Sequence, residues 1–254
     1  MANRFSMFLV VLVQAFLVLS LTSGALAEYE VIEVGDGCSI TGSVKFTGDI
    51  PKREMLVLDK DLHVCGTNSR PSNRLIIDEK TRGIKNVVVY IENVTRGKKF
   101  NDKWHFVLNQ EACEFIPHIQ MIPVNSTLEI RNRDPMAHNV HAYPVRNSTF
   151  NVSIPSRGVP PVKTFGREER IKMRCDRHGW MSAWIVVMDS PYYCLTGEDG
   201  TFEISGIPPG DYRVCVWHEA FDNEEGAVVE TEDVKLKPNL QVKLDFKLSL
   251  NGTS

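Results

Sequence analysis

The feature that most restricts the fold is a rhythm of short apolar runs cut by turn residues. SITGSVKF (39–46), NVVVYI (86–91), HFVLN (105–109), TLEIRN (127–132), RIKMRC (170–175), AWIVVM (183–188), TFEIS (201–205), DYRVCVW (211–217) and VKLDFKL (242–248) are all of strand length. They are rich in Val, Ile and aromatic residues, and Gly, Pro, Asn and Asp separate them. No long stretch carries a helical period. The expected class is all-β, built as sandwiches or barrels.

The first 27 residues stand apart. MANRFSMFLVVLVQAFLVLSLTSGALA has Arg4, an apolar run from Met7 to Leu21, and Ala25-Leu26-Ala27 at its end. This is the pattern of a cleavable signal peptide, with an uncleaved membrane anchor as the alternative. No later apolar stretch is long enough to span a bilayer. The expected location is therefore secreted or periplasmic, with no membrane span after signal removal. Basic and acidic residues nearly balance, 29 against 32, which gives nucleic acid binding no support. Export permits disulfides, and the six cysteines would suit three bridges. Candidate pairs are Cys65 with Cys113, and Cys194 with Cys215 or Cys38 with one of these two. Sequons at Asn93, Asn125, Asn147, Asn151 and Asn251 are glycosylation sites if the source is eukaryotic.

Two distant segments read as one domain. CSITGSVKFTGDIP (38–51) begins a G-x-V-x-x-x-G pattern. TGEDGTFEISGIPPGDYRVCVW (196–217) contains an Asp199-Gly200 turn expected to make a tight hairpin. Pro208-Pro209-Gly210 fixes a second turn. Beyond it Tyr212, Val214 and Val216 fall on one strand face, and Arg213 and Cys215 on the other. The Thr196 to Tyr212 stretch resembles the carboxypeptidase-regulatory, transthyretin-like sandwich. In that family the first strands come shortly before this stretch; here roughly ninety residues intervene. The expected organisation is a discontinuous sandwich of residues 28–103 and 190–254, with a second domain, 104–189, inserted at a surface loop. Two consecutive unrelated halves are the alternative.

The inserted stretch carries RCDRHGWMSAW (174–184). If RIKMRC is a strand, Ile171, Met173 and Cys175 share the apolar face. A loop then begins at Asp176, and His178 and Met181 can return to the same spot. A second imidazole must come from another strand, and His138 is the best candidate. One Cys, two His and a weak axial Met form the set that holds copper in electron-transfer sites. Zinc fits less well, because structural zinc sites do not use Met and no C-x-x-C pair is present.

This stretch resembles a cupredoxin, the plastocyanin/amicyanin type of blue copper domain. Phe115-x-Pro117, the turn and strand from Val124 to Asn132, His138-Asn139 and the C-x-x-H-x-x-M loop follow that family's order, and the short loop is amicyanin-like. The resemblance implies a Greek-key sandwich and one type 1 copper held by His138, Cys175, His178 and Met181. It also implies that Asn139 ties the ligand loops together near the thiolate. The family usually has Gly where Asn125 stands, and Asn tolerates the left-handed backbone. A redox partner protein that docks transiently would complete the function.

Other readings stay open. Cys175 could be half of a disulfide, and a metal role would leave an odd number of cysteines. His138 could be a turn residue of an empty sandwich. Trp180 belongs either to an apolar docking surface around His178 or to a packing contact between domains. His118, His141 and His218 are candidates for a second metal site. The main expectation is an electron carrier, not an enzyme. The alternatives are a non-redox extracellular binding module, and a copper carrier or copper enzyme with a second histidine site.

Overall fold

A computed structural model of the chain describes residues 29–221 and 227–250. The proposed signal peptide lies outside these residues. The all-β expectation holds: twenty strands and one four-residue helix, Leu62–Cys65, are described.

The strands between 105 and 188 form two sheets. One has the order Val162–Thr164, Thr127–Asn132, His105–Glu111, Glu114–Ile116. The other runs Phe150–Ile154, His138–Tyr143, Glu169–Arg174, Ser182–Met188, Ile119–Pro123. Alternating side chains face inward from both. Leu108, Leu128 and Ile130 meet Val140, Ala142, Ile171 and Met173 in one buried cluster. The turn between Pro123 and Thr127 places Asn125 at φ 63°, in the left-handed region that Asn accepts at low cost.

Flanking strands make a second pair of sheets. Tyr193–Leu195, Val88–Ile91, Gly210–Trp217 and Glu230–Leu236 form one; Thr201–Ile207, Cys38–Phe46 and Gln241–Leu248 form the other. Ile40, Val44, Val89, Val214, Val216 and Phe246 pack between them. Val214 and Val216 share this face as the sequence alternation requires, while Cys215 points the other way. The tight hairpin expected at Asp199-Gly200 is not made. The strand before that turn pairs with Val88–Ile91, and the strand after it pairs with Cys38–Phe46 in the opposite sheet. The turn chemistry is real, with Gly200 at φ 78°, but it crosses between sheets.

A third cluster joins the two sandwiches. Val88, Tyr90, Cys215 and Trp217 pack against Ile119, Met121, Trp184, Val186 and Met188. Val88–Ile91 and Ser182–Met188 are therefore buried on both faces, which explains their continuous apolar sequences. At the centre Trp184 and Trp217 meet edge to face, with centroids 5.0 Å apart.

Residues 55–71 belong by sequence to the flanking segment but pack elsewhere. Met55–Val57 pairs with Ser69–Pro71, and the chain between them returns toward the 105–188 sheets. Leu58 and Cys65 are buried in the core of those sheets. A disulfide joins Cys65 to Cys113.

The other expected bridges are absent among the described residues: Cys38, Cys194 and Cys215 are free. Cys194 pairs in register with Val89, and Cys215 with Tyr90. Their strands flank Val88–Ile91 on opposite sides, about 9–10 Å apart, beyond disulfide reach.

Trp217 should be the main energetic link between the sandwiches. Trp217→Ala is expected to cost about 3–5 kcal/mol in urea denaturation, and Trp217→Phe clearly less.

Candidate metal centre

His138 opens the strand His138–Tyr143. Alternation sends His138, Val140 and Ala142 inward and leaves His141 and Tyr143 on the outer side. Cys175 directly follows Glu169–Arg174, and Ile171, Met173 and Cys175 are all buried. The loop after it closes on itself. The Met181 N–H donates to the His178 carbonyl (2.9 Å), and the Cys175 N–H donates to the Met181 carbonyl (3.3 Å). His178 is thereby turned back beneath the strand end.

Three candidate ligands converge. The Nδ1 atoms of His138 and His178 lie 3.0 Å apart, and Cys175 Sγ lies 3.7 Å from His178 Nδ1. All three ligand atoms are within 4.8 Å of one another. His138 and His178 have no exposed surface, and Cys175 is 1% exposed. Met181 is buried in the same core cluster.

The far nitrogens of both rings meet carboxylates. His138 Nε2 is 2.7 Å from Asp134 Oδ2, and His178 Nε2 is 3.0 Å from Asp61 Oδ2. A carboxylate only accepts, so each ring's N–H is drawn to Nε2 and each Nδ1 keeps its lone pair. Two lone pairs then face each other inside the protein. Burial pushes the His138 pKa below its ordinary value, against the opposing pull of Asp134, so a proton between the rings is disfavoured. The separations are those produced by bonds of about 2.0 Å from two nitrogens and about 2.3 Å from one sulfur to a common ion. The donor set therefore fits a borderline-soft metal such as copper.

Asn139 organises the second face of the loop. Its Oδ1 accepts from the Asp176 N–H (2.8 Å), the Arg177 N–H (3.3 Å) and the Cys175 thiol (3.3 Å). Its Nδ2 donates to Asn151 Oδ1 (2.9 Å) and Asp176 Oδ2 (3.0 Å). One side chain thus joins the strand bearing His138 to the loop bearing Cys175 and His178.

The remaining histidines lie elsewhere. His118 Nε2 pairs with Glu219 Oε1, and Glu219 Oε2 accepts from Trp184 Nε1 at 2.9 Å. His141 sits on the outer face with Asp176 and Tyr143. His218 is buried, and burial pushes its pKa down to about 4. Among the described residues, none of the three joins a group of three convergent ligand atoms. Trp180 packs on His178, with centroids 5.0 Å apart, and donates to the Cys113 carbonyl. A cavity of about 440 Å³ opens beside Met181 and Trp180 and extends to His118 and Glu219.

Asp134 and Asp61 were missed by sequence reasoning. Asp134 precedes His138 by four in a turn, a spacing that could have flagged it. Asp61 is 117 residues from His178 and carries no local signal.

No family model and no curated protein matches the chain. Among solved structures, a Cu-containing nitrite reductase from Thermus scotoductus SA-01 matches at 22% identity and a TM-score of 0.32, over 36% of this chain and 24% of that one. A purple cupredoxin from Nitrosopumilus maritimus matches at 22% identity and 0.29, over 34% of this chain and 100% of that one. Amicyanin from Paracoccus versutus matches at 18% identity and 0.29, over 33% and 81%. This chain thus spans about a quarter of the nitrite reductase chain. At these identities and TM-scores the likenesses assign neither fold nor chemistry to this chain.

Two predictions follow the geometry. Asn139→Ala leaves two loop N–H groups without their acceptor and should cost about 1–3 kcal/mol in urea denaturation of the metal-free protein. Stability should also fall with acid. The unfolded chain binds its histidine protons near 6.5, whereas folded His218 and His138 take them up only lower. Their contribution is complete above about pH 6.5 and erodes as pH falls toward 4. The urea midpoint measured from pH 7.5 to 4.5 should show this, and His218→Gln should flatten the slope.

Proposed function

We propose that the chain is an exported protein that carries single electrons on one type 1 copper. His138, Cys175 and His178 would hold the ion and Met181 would be the weak axial ligand. The observation that carries this reading is the buried meeting of a thiol and two imidazole lone pairs at one point. Bound copper would supply a one-electron couple, with a soft thiolate suited to Cu(I) and imidazoles suited to both oxidation states.

The chain's own part is to hold these donors still. Asp134 and Asp61 fix ring orientation and keep each proton on Nε2. Asn139 accepts from the thiol before metal binding and keeps the loop N–H groups in place after the thiol is deprotonated. Burial excludes water from both rings. We take residues 104–189 as a cupredoxin-like unit inserted in a transthyretin-like sandwich of residues 28–103 and 190–254. Two apolar cores support that division for most of the chain, although Leu58 and Cys65 from the first segment pack in the core of the inserted unit. The flanking sandwich would position the copper unit, and a redox partner protein would dock transiently.

The cavity reaching from Met181 to the His118–Glu219 pair favours one second reading, a copper enzyme that admits a small substrate there.

Copper-loaded protein should show an intense visible thiolate-to-copper band and a type 1 spin resonance signal, with one copper per chain. Cys175→Ser should abolish the band and His118→Ala should keep it. A wild-type protein without that band would sink the copper reading in favour of a non-redox binding module. Two coppers per chain, one lost in His118→Ala, would favour the second reading.

A further inference from the structure

One of the two carboxylates at the centre comes from outside the sheets that build it. Asp134 is local: it lies four residues before His138, and its oxygens also take the N–H groups of Ala112 and Cys113. Asp61 arrives on a strap, residues 58–65, that crosses over the ligand loop. Its backbone is left-handed, φ 53°, a conformation that Asp tolerates better than most residues. Its carbonyl accepts from the N–H groups of Val64 and Cys65, both at 2.9 Å.

The strap is fastened at both ends of this contact. Leu58, 2% exposed, is buried in the core before Asp61, and Cys65 is bonded to Cys113 after it. Arg70 adds a latch: its guanidinium donates to the Cys65 and Ala112 carbonyls and pairs with Glu114 at 2.8 Å. The result is that His178 is wholly covered, while the Asp61 side chain over it remains 30% exposed.

Each half-cystine also stands next to one of the carboxylates. Asp134 binds the Cys113 N–H, and Asp61 binds the Cys65 N–H through its carbonyl. The disulfide therefore ties together the two segments that orient the two imidazoles. The sulfurs of Cys65 and Cys113 and a ring nitrogen of His178 lie within 4.8 Å of one another, so little room is left for the strap to shift.

We propose that Asp61 is a positioning residue for His178, held in place by the Cys65–Cys113 disulfide, and that it sets the stability and redox balance of the metal held there. This deepens the copper reading and rests on it. An anionic acceptor at Nε2 increases the electron donation of the ring and favours the more highly charged metal state.

The test uses full-length, copper-loaded protein. Asp61→Asn keeps the shape of the side chain and removes its charge. It should keep the visible band, shift the oxidised-to-reduced balance about tenfold toward Cu(I), an upward change of ~59 mV for one electron, and release copper to a chromophoric chelator about 10–100-fold faster. Asp61→Glu should recover most of both. Cys65→Ala/Cys113→Ala, with Asp61 intact on a loosened strap, should move potential and release in the same direction as Asp61→Asn. Unchanged potential and unchanged release in Asp61→Asn would overturn the proposal.

The strap is also read without metal. Diethylpyrocarbonate should acylate exposed His63 quickly and His178 slowly, and the double cysteine variant should bring His178 to the rate of His63. Equal rates in the wild type would overturn the strap. Absence of the visible band from wild-type protein counts against copper alone, and the acylation rates then decide the strap.

Discussion

Two imidazole nitrogens facing each other at 3.0 Å inside a protein are the constraint from which the centre follows. Left to themselves, one ring would turn away or take up a proton. Neither relief is open here. Asp134 and Asp61 hold both far nitrogens, and burial disfavours the charged form of His138. The centre is consequently held in a metal-ready geometry by groups that never touch the metal. Contacts within the fold itself, to Asp134 and Asp61, set the orientation of both rings. The same rigidity would suit the proposed redox couple, in which the ligands must serve two charge states of one ion.

That geometry depends on the sheets behind it. The strands bearing His138 and Cys175 pair directly, with His141 opposite Arg174. Their inward residues are locked in one core with Leu128, Ile130 and Ile171. The next strand, Ser182–Met188, is held on its far face by Val88, Tyr90 and Trp217 of the flanking sandwich. The sheet that carries the ligands is thus clamped on both faces along Ser182–Met188 and Ile119–Pro123, while His141 and Tyr143 lie on its more open outer side. A hydrophobic substitution at the junction of the sandwiches can reach the ligands through a strand, without any contact to them.

How much of this was legible in the sequence depends on the range of each signal. Cys175, His178 and Met181 were readable together because strand alternation and a short loop are local, and so was the left-handed turn at Asn125. The facing of Val214 and Cys215 followed from the same period of two. Partnership between strands was not local. Asp199-Gly200 fixes a turn, but nothing in five residues says whether the next strand joins the same sheet, and here it does not. The strap failed for the same reason. Asp61, Leu58 and Cys65 look like residues of an ordinary surface loop until the disulfide to Cys113 brings them across the centre.

The cysteine count illustrates why parity misleads. Six cysteines in a chain expected to be exported would suit three bridges, which sets a metal-binding Cys175 against the arithmetic. The structure answers by distance. Cys194 and Cys215 are kept apart by the strand between them. Cys38 belongs to the opposite sheet, where its thiol meets the Lys237 carbonyl at 3.0 Å. Only Cys65 and Cys113 meet, and Cys175 is left as a free thiol. The convergent groups agree: Cys175 gathers with His138 and His178, His178 with Cys65 and Cys113, and no such group among the described residues holds all three sulfurs. Thiol–disulfide exchange needs direct approach of sulfur to sulfur, and among the described residues Cys175 shares no convergent group with either half-cystine. The disulfide can then secure the carboxylates around the centre without consuming the sulfur that the centre requires.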